Sequence, residues 1–514
     1  MKNILNKRRW SKSSLMIATI TFSSSLLLTG CNDDDPIVVV EEPPAAVTVS
    51  WPNQVQYNTQ GQALMAESIA YHSAADTLLL SSSTAGVISQ VDAEGNFTSL
   101  IAPETFAGNG TFGLAIDENN QRLLAVSANF QNPLTGSLFI FDLINYELLH
   151  QVDLAVLTPG LSFVNDVTVD DNGNAYVTNS DQGVIYQVTL DGEASIYFED
   201  QAFTPNDPAT ETGFNGIDYH SDGYLLVSHY ESNTIYKLLL DGSSTITEVV
   251  LPEGYVSGGD GIKVSDNTLA VVNNAAVPFV SMFTTDDNWA TGTLVGDTYA
   301  TGDVFPTAVA KIGDDYIVSN SYLNFPAYGD LPSNYLITKA YFDSSIRFSG
   351  SSTEIPRINT PVMPMGYGAD YPEPFYANCT DDIAPGVPDI RGDWVETTVT
   401  INGEVFTANS DLHQERIEQC GERVLIVANT VLHEIVVADG SMFNGVNDIN
   451  PLGQPIHSTA MFNNSTLILT PVLPVAADIT VPDVTRELLV DDDGNEVLRF
   501  FNLQLGSVRY LTKS

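Results

Sequence analysis

Residues 165–192 read NDVTVDDNGNAYVTNSDQGVIYQVTLDG, and residues 215–242 read NGIDYHSDGYLLVSHYESNTIYKLLLDG. The two stretches align without a gap and share eight of 28 positions. Each holds an apolar run, a turn at Gly173 or Gly223, a second apolar run, a third run with Ile-Tyr, and a closing Leu-Asp-Gly. Short β-type runs separated by turn residues form an antiparallel meander. Weaker copies begin at Glu67 (ESIAYHSAADTLLLSSS), Gly113 (GLAIDENNQRLLAVSAN), Asp260 (DGIKVSDNTLAVVNN) and Thr307 (TAVAKIGDDYIVSN). The six starts are spaced by 46, 52, 50, 45 and 47 residues. Four short strands at that period are blades of a β-propeller, and six copies predict six blades over residues 50–344. A sandwich needs no such period.

The repeat also predicts where a site lies. The first strand of a blade lines the central channel, and the second returns antiparallel to the same mouth. Two rings of side chains should meet there. The first is Glu67, Gly113, Asn165, Asn215, Asp260 and Thr307; the second is Ser82, Asn129, Asn179, His229, Asn273 and Asn320. Nearly all are polar or small, which reads as a site rather than a core. Glu67, Asn165, Asn215 and Asp260 are hard oxygen donors, suited to one divalent cation, Ca²⁺ or else Mg²⁺ or Mn²⁺, rather than to zinc. The two carboxylates would balance its charge.

Three segments carry a resemblance: Asn165-Asp-Val-Thr-Val-Asp with Gly173-Asn-Ala-Tyr-Val-Thr, Phe214-Asn-Gly-Ile-Asp-Tyr with Asp222-Gly, and Gly259-Asp-Gly-Ile-Lys-Val. They look like the senescence-marker-protein / gluconolactonase / luciferin-regenerating-enzyme family of six-bladed propellers. The resemblance implies a cation, often Ca²⁺, at the channel mouth, held by Glu67, Asn165, Asn215 and Asp260. At Glu67 this chain has Ala-Glu-Ser where the family has Gly-Glu-Gly-Pro. The characterised enzymes of that family open lactones or cleave esters and related phosphoesters. The resemblance therefore implies Asp260 as general base, and His229, on the second ring near Asn215, is by its position a second proton acceptor near neutral pH. Asn129, Asn179, Asn273 and Asn320 would line the substrate's path. The fold also serves proteins without hydrolytic activity, so a non-catalytic lipoprotein that binds a small molecule or a partner is the alternative, as is a structural envelope protein.

Residues 1–12 carry Lys2, Lys7, Arg8, Arg9 and Lys12 and no acid, an apolar stretch follows to Leu28, and then comes Leu28-Thr29-Gly30-Cys31. This resembles a bacterial lipoprotein signal. It implies cleavage before Cys31, lipid on that cysteine, and a place in the bacterial cell envelope, tethered through the acidic, Pro-containing residues 31–49. Export would leave Cys379 and Cys420 in an oxidising compartment, where they are expected to form one bridge, two free thiols being the alternative.

Residues 345–390 are rich in Pro, Gly, Ser and Asn and read as a linker. Residues 391–514 contain eight or nine strand-like runs without the blade repeat, which predicts a small β-barrel or β-sandwich. Gly392-Asp-Trp394 with the late Arg509 resembles a lipocalin-like barrel, in which an early Trp packs on a late basic residue; an immunoglobulin-like sandwich is the other reading. Asp491-Asp-Asp-Gly-Asn-Glu is a hairpin turn rather than a calcium loop.

Composition narrows the function from the other side. The chain has 514 residues, 64 acidic and 19 basic, for a net charge of −45. That argues against nucleic acid as a partner, because phosphate binding needs a basic surface. It argues equally against a polybasic contact with anionic lipid. With 43 % hydrophobic residues a large core is available. No Gly-x-Ser-x-Gly, His-Glu-x-x-His, Cys-x-x-Cys or phosphate-loop motif is present.

Overall fold

The computed structural model describes residues 51–514, apart from 130–134, 276–277, 298–304, 324–333, 343–348, 356–373, 408–412, 429–430, 441–445, 450–454, 473–481 and 503–505. Cys31, the leader and the whole acidic tether lie outside the described residues.

Six four-stranded antiparallel sheets make a propeller. Their first strands are Ile69–His72, Gly110–Asp117, Val164–Val169, Phe214–His220, Gly259–Ser265 and Pro306–Ile312. Blades one to five each run outward in chain order. Blade six takes its outermost strand from the start of the fold: Gln54–Asn58 pairs antiparallel with Asn334–Ala340, with Val55 opposite Ile337. This closes the ring with main-chain hydrogen bonds and leaves no blade short of a strand. Val55 and Tyr57 point into the core from that strand while Gln56 and Asn58 stay exposed, the alternation of a half-buried strand. Apolar clusters sit between successive blades, one of them joining Val55 and Tyr57 to Leu78, Ala310 and Ile337 across the closure.

Five of the six first strands are irregular at the same place. Register shifts fall between Thr111 and Leu114, Val164 and Val167, Phe214 and Ile217, Gly259 and Ile262, and Pro306 and Ala308. A bulge bends a strand and re-aims the side chains in it. Here each lies at one mouth of the channel.

The eleven described strands between residues 392 and 513 form one antiparallel sheet, with Glu404–Thr407 pairing Gly392–Ile401 beside the main run. Ten strands follow one another in a meander, with Gly392–Ile401 pairing the last strand, Ser507–Lys513. The end strands of the run, Val431–Ile435 and Val446–Ile449, come together, so the sheet rolls into a nearly closed barrel. A sandwich of two sheets is thereby set aside. The strand Gln414–Cys420 reads as polar in sequence because Glu415, Arg416, Glu418 and Gln419 are charged or amide-bearing, yet most of it is buried and satisfied by ion pairs and hydrogen bonds. Trp394 is buried in the barrel core and its indole N–H donates to Ile390 O at 2.9 Å. The basic group over its ring is Lys513, 5.1 Å from the centroid, whereas Arg509 pairs with Glu396. Cys379 and Cys420 are joined in a disulfide that ties the segment before the barrel to its outer face. Around it pack Ile355, Phe375, Tyr376, Leu425 and Val427.

Candidate functional site

A cavity of about 570 Å³ opens at the bulged mouth of the propeller. Glu67, Asn165, Asn215 and Asp260, from four different blades, all line it. Each is the first residue of the bulge in its strand, or its equivalent in blade one. The bulge turns the next residue inward as well, so neighbouring first strands nearly touch. A Cβ on Gly216 would lie 2.2 Å from Asp260 O, and one on Gly113 would lie 2.5 Å from Asp166 Oδ1. Only glycine permits either approach. Hydroxyls from one blade fasten the backbone of the next: Thr178 donates to Asn215 O at 2.7 Å, Ser228 to Asp260 O at 3.1 Å, and Thr307 to Glu67 O at 2.6 Å. The four side chains thus stand on a fixed rim.

The orientation of Asn165 follows from hydrogen-bond logic. Ser180 Oγ gives its single proton to Phe214 O at 2.7 Å, so it can only accept from Asn165 Nδ2, at 3.0 Å. Asn165 Oδ1 therefore faces away from that donor, buried and without a partner. Asn215 bonds through its side chain to Asp260, and its Oδ1 is likewise buried without a partner. Asn274 Nδ2 donates to Asp260 Oδ2 at 2.6 Å and to Pro306 O at 2.9 Å, while Tyr230 OH donates to Asn274 Oδ1 at 3.0 Å.

The carboxylates are under electrostatic pressure. Burial pushes Glu67 well above the usual carboxylate range, and Asp260 and Asp166 nearby push it further. Burial lifts Asp260 to about 7, against the pull of the Asn274 amide and with a push from Asp166. Asp166 reaches about 7 for the same first reason, although Ile217 N and Val167 N donate to it at 3.0 and 2.9 Å. Among the described residues no three His, Cys, Asp or Glu side chains gather closely enough to hold a metal unaided. A cation here would depend on the amide oxygens, and two of these are the atoms left without donors. Two carboxylates short of positive charge and two orphaned carbonyl oxygens fit a hard divalent cation.

The structure corrects both predicted rings. In blade two, Thr111 faces Ser127 and Leu114 faces Ala125, just as Val164 faces Asn179 and Val167 faces Val177 in blade three. Phe112, not Gly113, is therefore the residue level with Asn165, and it lines the cavity. Gly113 is level with Asp166. The second ring is displaced by one residue. None of Asn129, Asn179, His229, Asn273 or Asn320 lines the cavity; the residues immediately after three of them, Ser180, Tyr230 and Asn274, do. Side chains alternate along a strand, so a slip of one residue exchanges channel for blade interior. Asn179 donates to Tyr186 OH at 2.9 Å, Asn273 accepts from Ser257 N at 2.8 Å, and Asn320 donates to Leu336 O at 3.0 Å. Asn129 donates to Asn109 Oδ1 at 3.2 Å. These asparagines pin loops and strands. His229 lies among the rings of Phe203, Phe214 and Tyr236, with Nε2 against Phe203 O at 3.1 Å and Nδ1 against Ser232 Oγ at 3.0 Å. Burial lowers its pKa, and nothing places it beside a reacting group.

The sequence reasoning missed Asp166, Phe112, Ser180, Tyr230 and Asn274. Asp166 was visible in principle. The residues level with it in the other blades are Ser68, Gly113, Gly216, Gly261 and Ala308, so it is the one charged side chain in a ring of small ones.

No protein-family model matches this chain, and no curated protein matches it. Among solved structures it is similar to the allergen Mala s 1 of Malassezia sympodialis, at 18 % identity and a TM-score of 0.45, over 58 % of this chain and 98 % of that one. It is similar to a luciferin-regenerating enzyme at 11 % identity and a TM-score of 0.41, over 56 % and 95 % of the two chains. A calcium-binding regucalcin from Agrobacterium tumefaciens gives 16 % identity and a TM-score of 0.39, over 56 % and 95 %. At such identities and TM-scores these likenesses bear on nothing about this chain's chemistry.

Proposed function

We propose that the propeller mouth is a divalent-cation-dependent hydrolase site for a lactone or ester, with calcium favoured by the all-oxygen donor set. The observation that carries this reading is the pair of buried, unpartnered oxygens, Asn165 Oδ1 and Asn215 Oδ1, lining one cavity with Glu67 and Asp260. Glu67, Asn165, Asn215 and Asp260 would hold the ion. When bound, such an ion supplies Lewis-acid polarisation of a carbonyl oxygen. The chain's own residues supply the rest. Asp260, held in place by the Asn274 amide, is the group positioned to take a proton from an attacking water. Tyr230, by donating to Asn274 Oδ1, fixes which face of that amide Asp260 meets. Phe112, Phe163 and Phe305 line the cavity as apolar walls that shed water around the substrate. The leader and Cys31 support a lipid tether to the bacterial cell envelope, facing a small-molecule substrate rather than nucleic acid.

The test is hydrolysis of a panel of lactones and aryl esters by the full chain, with calcium, with chelator, and with Asp260→Ala. The expected result is chelator-sensitive turnover that falls by about 100-fold or more in the variant. A cation that raises the melting temperature while no lactone or ester in the panel turns over would overturn the hydrolase reading and leave a binding protein.

A further inference from the structure

The mouth cavity does not end at the four donors. Beside it lies a second cavity of about 440 Å³, and Leu161, Asp181 and Pro208 belong to both walls. Leu161 comes from the segment between blades two and three, Pro208 from the segment between blades three and four, and Asp181 from the turn after the second strand of blade three. Of the three shared residues Asp181 is the one that carries a charge.

Neither cavity has a lysine, arginine or histidine in its wall among the described residues. This is not only a consequence of an acidic chain. The cavity at the opposite mouth of the same channel, of about 330 Å³, is lined by Lys263 and Lys311. Basic residues were available to the channel and stand at its other end. Asp181 is 8 % exposed. Its Oδ2 accepts from Phe163 N at 2.9 Å, and its Oδ1 carries none of the described hydrogen bonds. Burial lifts it to about 6, against the pull of Phe163 N, and among the described residues no positive side chain pairs with it. Around it Leu157, Leu161, Val184 and Pro208 give the second cavity apolar wall, and Glu199 and Asp200 add further negative charge to it.

We infer that the site takes a substrate that carries a positive charge, its reacting end at the mouth donors and its cationic centre beside Asp181, the charged residue that both cavity walls share. A carboxylate or phosphate at the Asp181 end is disfavoured, because no side chain in either wall compensates a negative charge there. The inference rests on the reading of the mouth cavity as a small-molecule site, and it names the substrate class that the site selects.

The test uses binding, so that it does not depend on turnover. Three non-hydrolysable amides of one length are compared on the full chain by calorimetry in calcium buffer at pH 8. One ends in a trimethylammonium group, one in its neutral tert-butyl isostere, one in a carboxylate. The expected order is trimethylammonium about tenfold tighter than tert-butyl, with the carboxylate weakest. Asp181→Asn keeps an acceptor for Phe163 N and removes the charge. It should bring trimethylammonium and tert-butyl within about twofold of each other while leaving the tert-butyl affinity in place. A carboxylate that binds as tightly as the cation, or a cation preference that survives Asp181→Asn, would overturn the inference. The wild-type order alone suffices if the variant does not fold. Ester turnover with no charge order leaves the hydrolase reading standing and removes this one. The charge order without turnover does the reverse.

Discussion

Asp260 at the propeller mouth and Glu415 inside the barrel are both buried carboxylates, and they sit at opposite ends of the acid scale. Burial lifts Asp260 to about 7, with only amides and other carboxylates around it. Burial would lift Glu415 too, but Arg486 and His413 pull it down to about 2. Arg486 Nε and Nη2 donate to Glu415 Oε2 and Oε1 at 2.7 and 2.8 Å, a two-pronged clamp, and His413 Nε2 lies 2.8 Å from Oε1. The barrel repeats this solution. Glu396 meets Arg509, and Glu434 meets Arg423 beneath the disulfide segment. The far mouth of the channel uses it as well, with Asp218 3.0 Å from Lys263. Burial alone therefore says little about purpose. A buried carboxylate closed by a guanidinium is a structural part. One left open, beside unpartnered amide oxygens, marks a place where the missing charge comes from outside the chain.

The barrel side of this contrast makes the larger prediction. Arg486→Ala leaves Glu415 buried without its clamp and should cost about 3–5 kcal/mol of stability. Replacing both partners with apolar residues of similar volume should cost far less, because no charge is then stranded. Chemical denaturation of the two variants checks the difference. A single variant as stable as the parent would mean that the pair contributes nothing and that the comparison fails on this side.

The mouth makes the next. Asp260 and Asp166 sit at about 7 in the folded chain, against about 3.9 when unfolded. The folded state then holds protons that the unfolded state releases, so their stabilisation is full below about 4 and is lost as pH rises through about 7. A divalent cation held at Asp260 would replace the proton there. In chelator the melting temperature should fall between pH 5 and pH 8, and calcium should flatten that fall. Its stabilisation should be largest at pH 8, about 2.7 kcal/mol at a hundredfold excess over Kd. Thermal scans at the two pH values, with and without calcium, decide it. An equal calcium effect at both would mean that the ion binds elsewhere.

What the sequence made legible follows the same division. The blade period was plain because each blade spends its residues on the same strand–turn–strand pattern. The four oxygen donors fell in register because each stands within two residues of the start of a first strand. The closing strand Gln54–Asn58 was hidden, since its partner Asn334–Ala340 lies some 280 residues away and no periodicity links them. Gln414–Cys420 was hidden because ion pairs, not apolar side chains, bury it. Bulges hid the rest. A bulge adds a residue that no alternation pattern anticipates, so Phe112 was displaced by Gly113, and the channel-facing Ser180, Tyr230 and Asn274 by the residues just before them.

That one-residue slip gives the smallest expected effect and the sharpest check on the geometry. By sequence alone His229 stands level with the donor ring, and a neutral imidazole there would serve as a base. In the structure its ring is spent on packing against Phe203 and Phe214, and both nitrogens are engaged. His229→Gln removes the imidazole and retains one amide donor and one acceptor. It should leave kcat/KM for a lactone or ester within about twofold, cost about 1 kcal/mol of stability for the altered hydrogen bonds, and leave the acid limb of the pH–rate profile where it was. A loss of a hundredfold, or a shifted acid limb, would return His229 to the mouth and undo the register on which Tyr230 was placed there instead. The two residues are neighbours in sequence, and only one of them can face the channel.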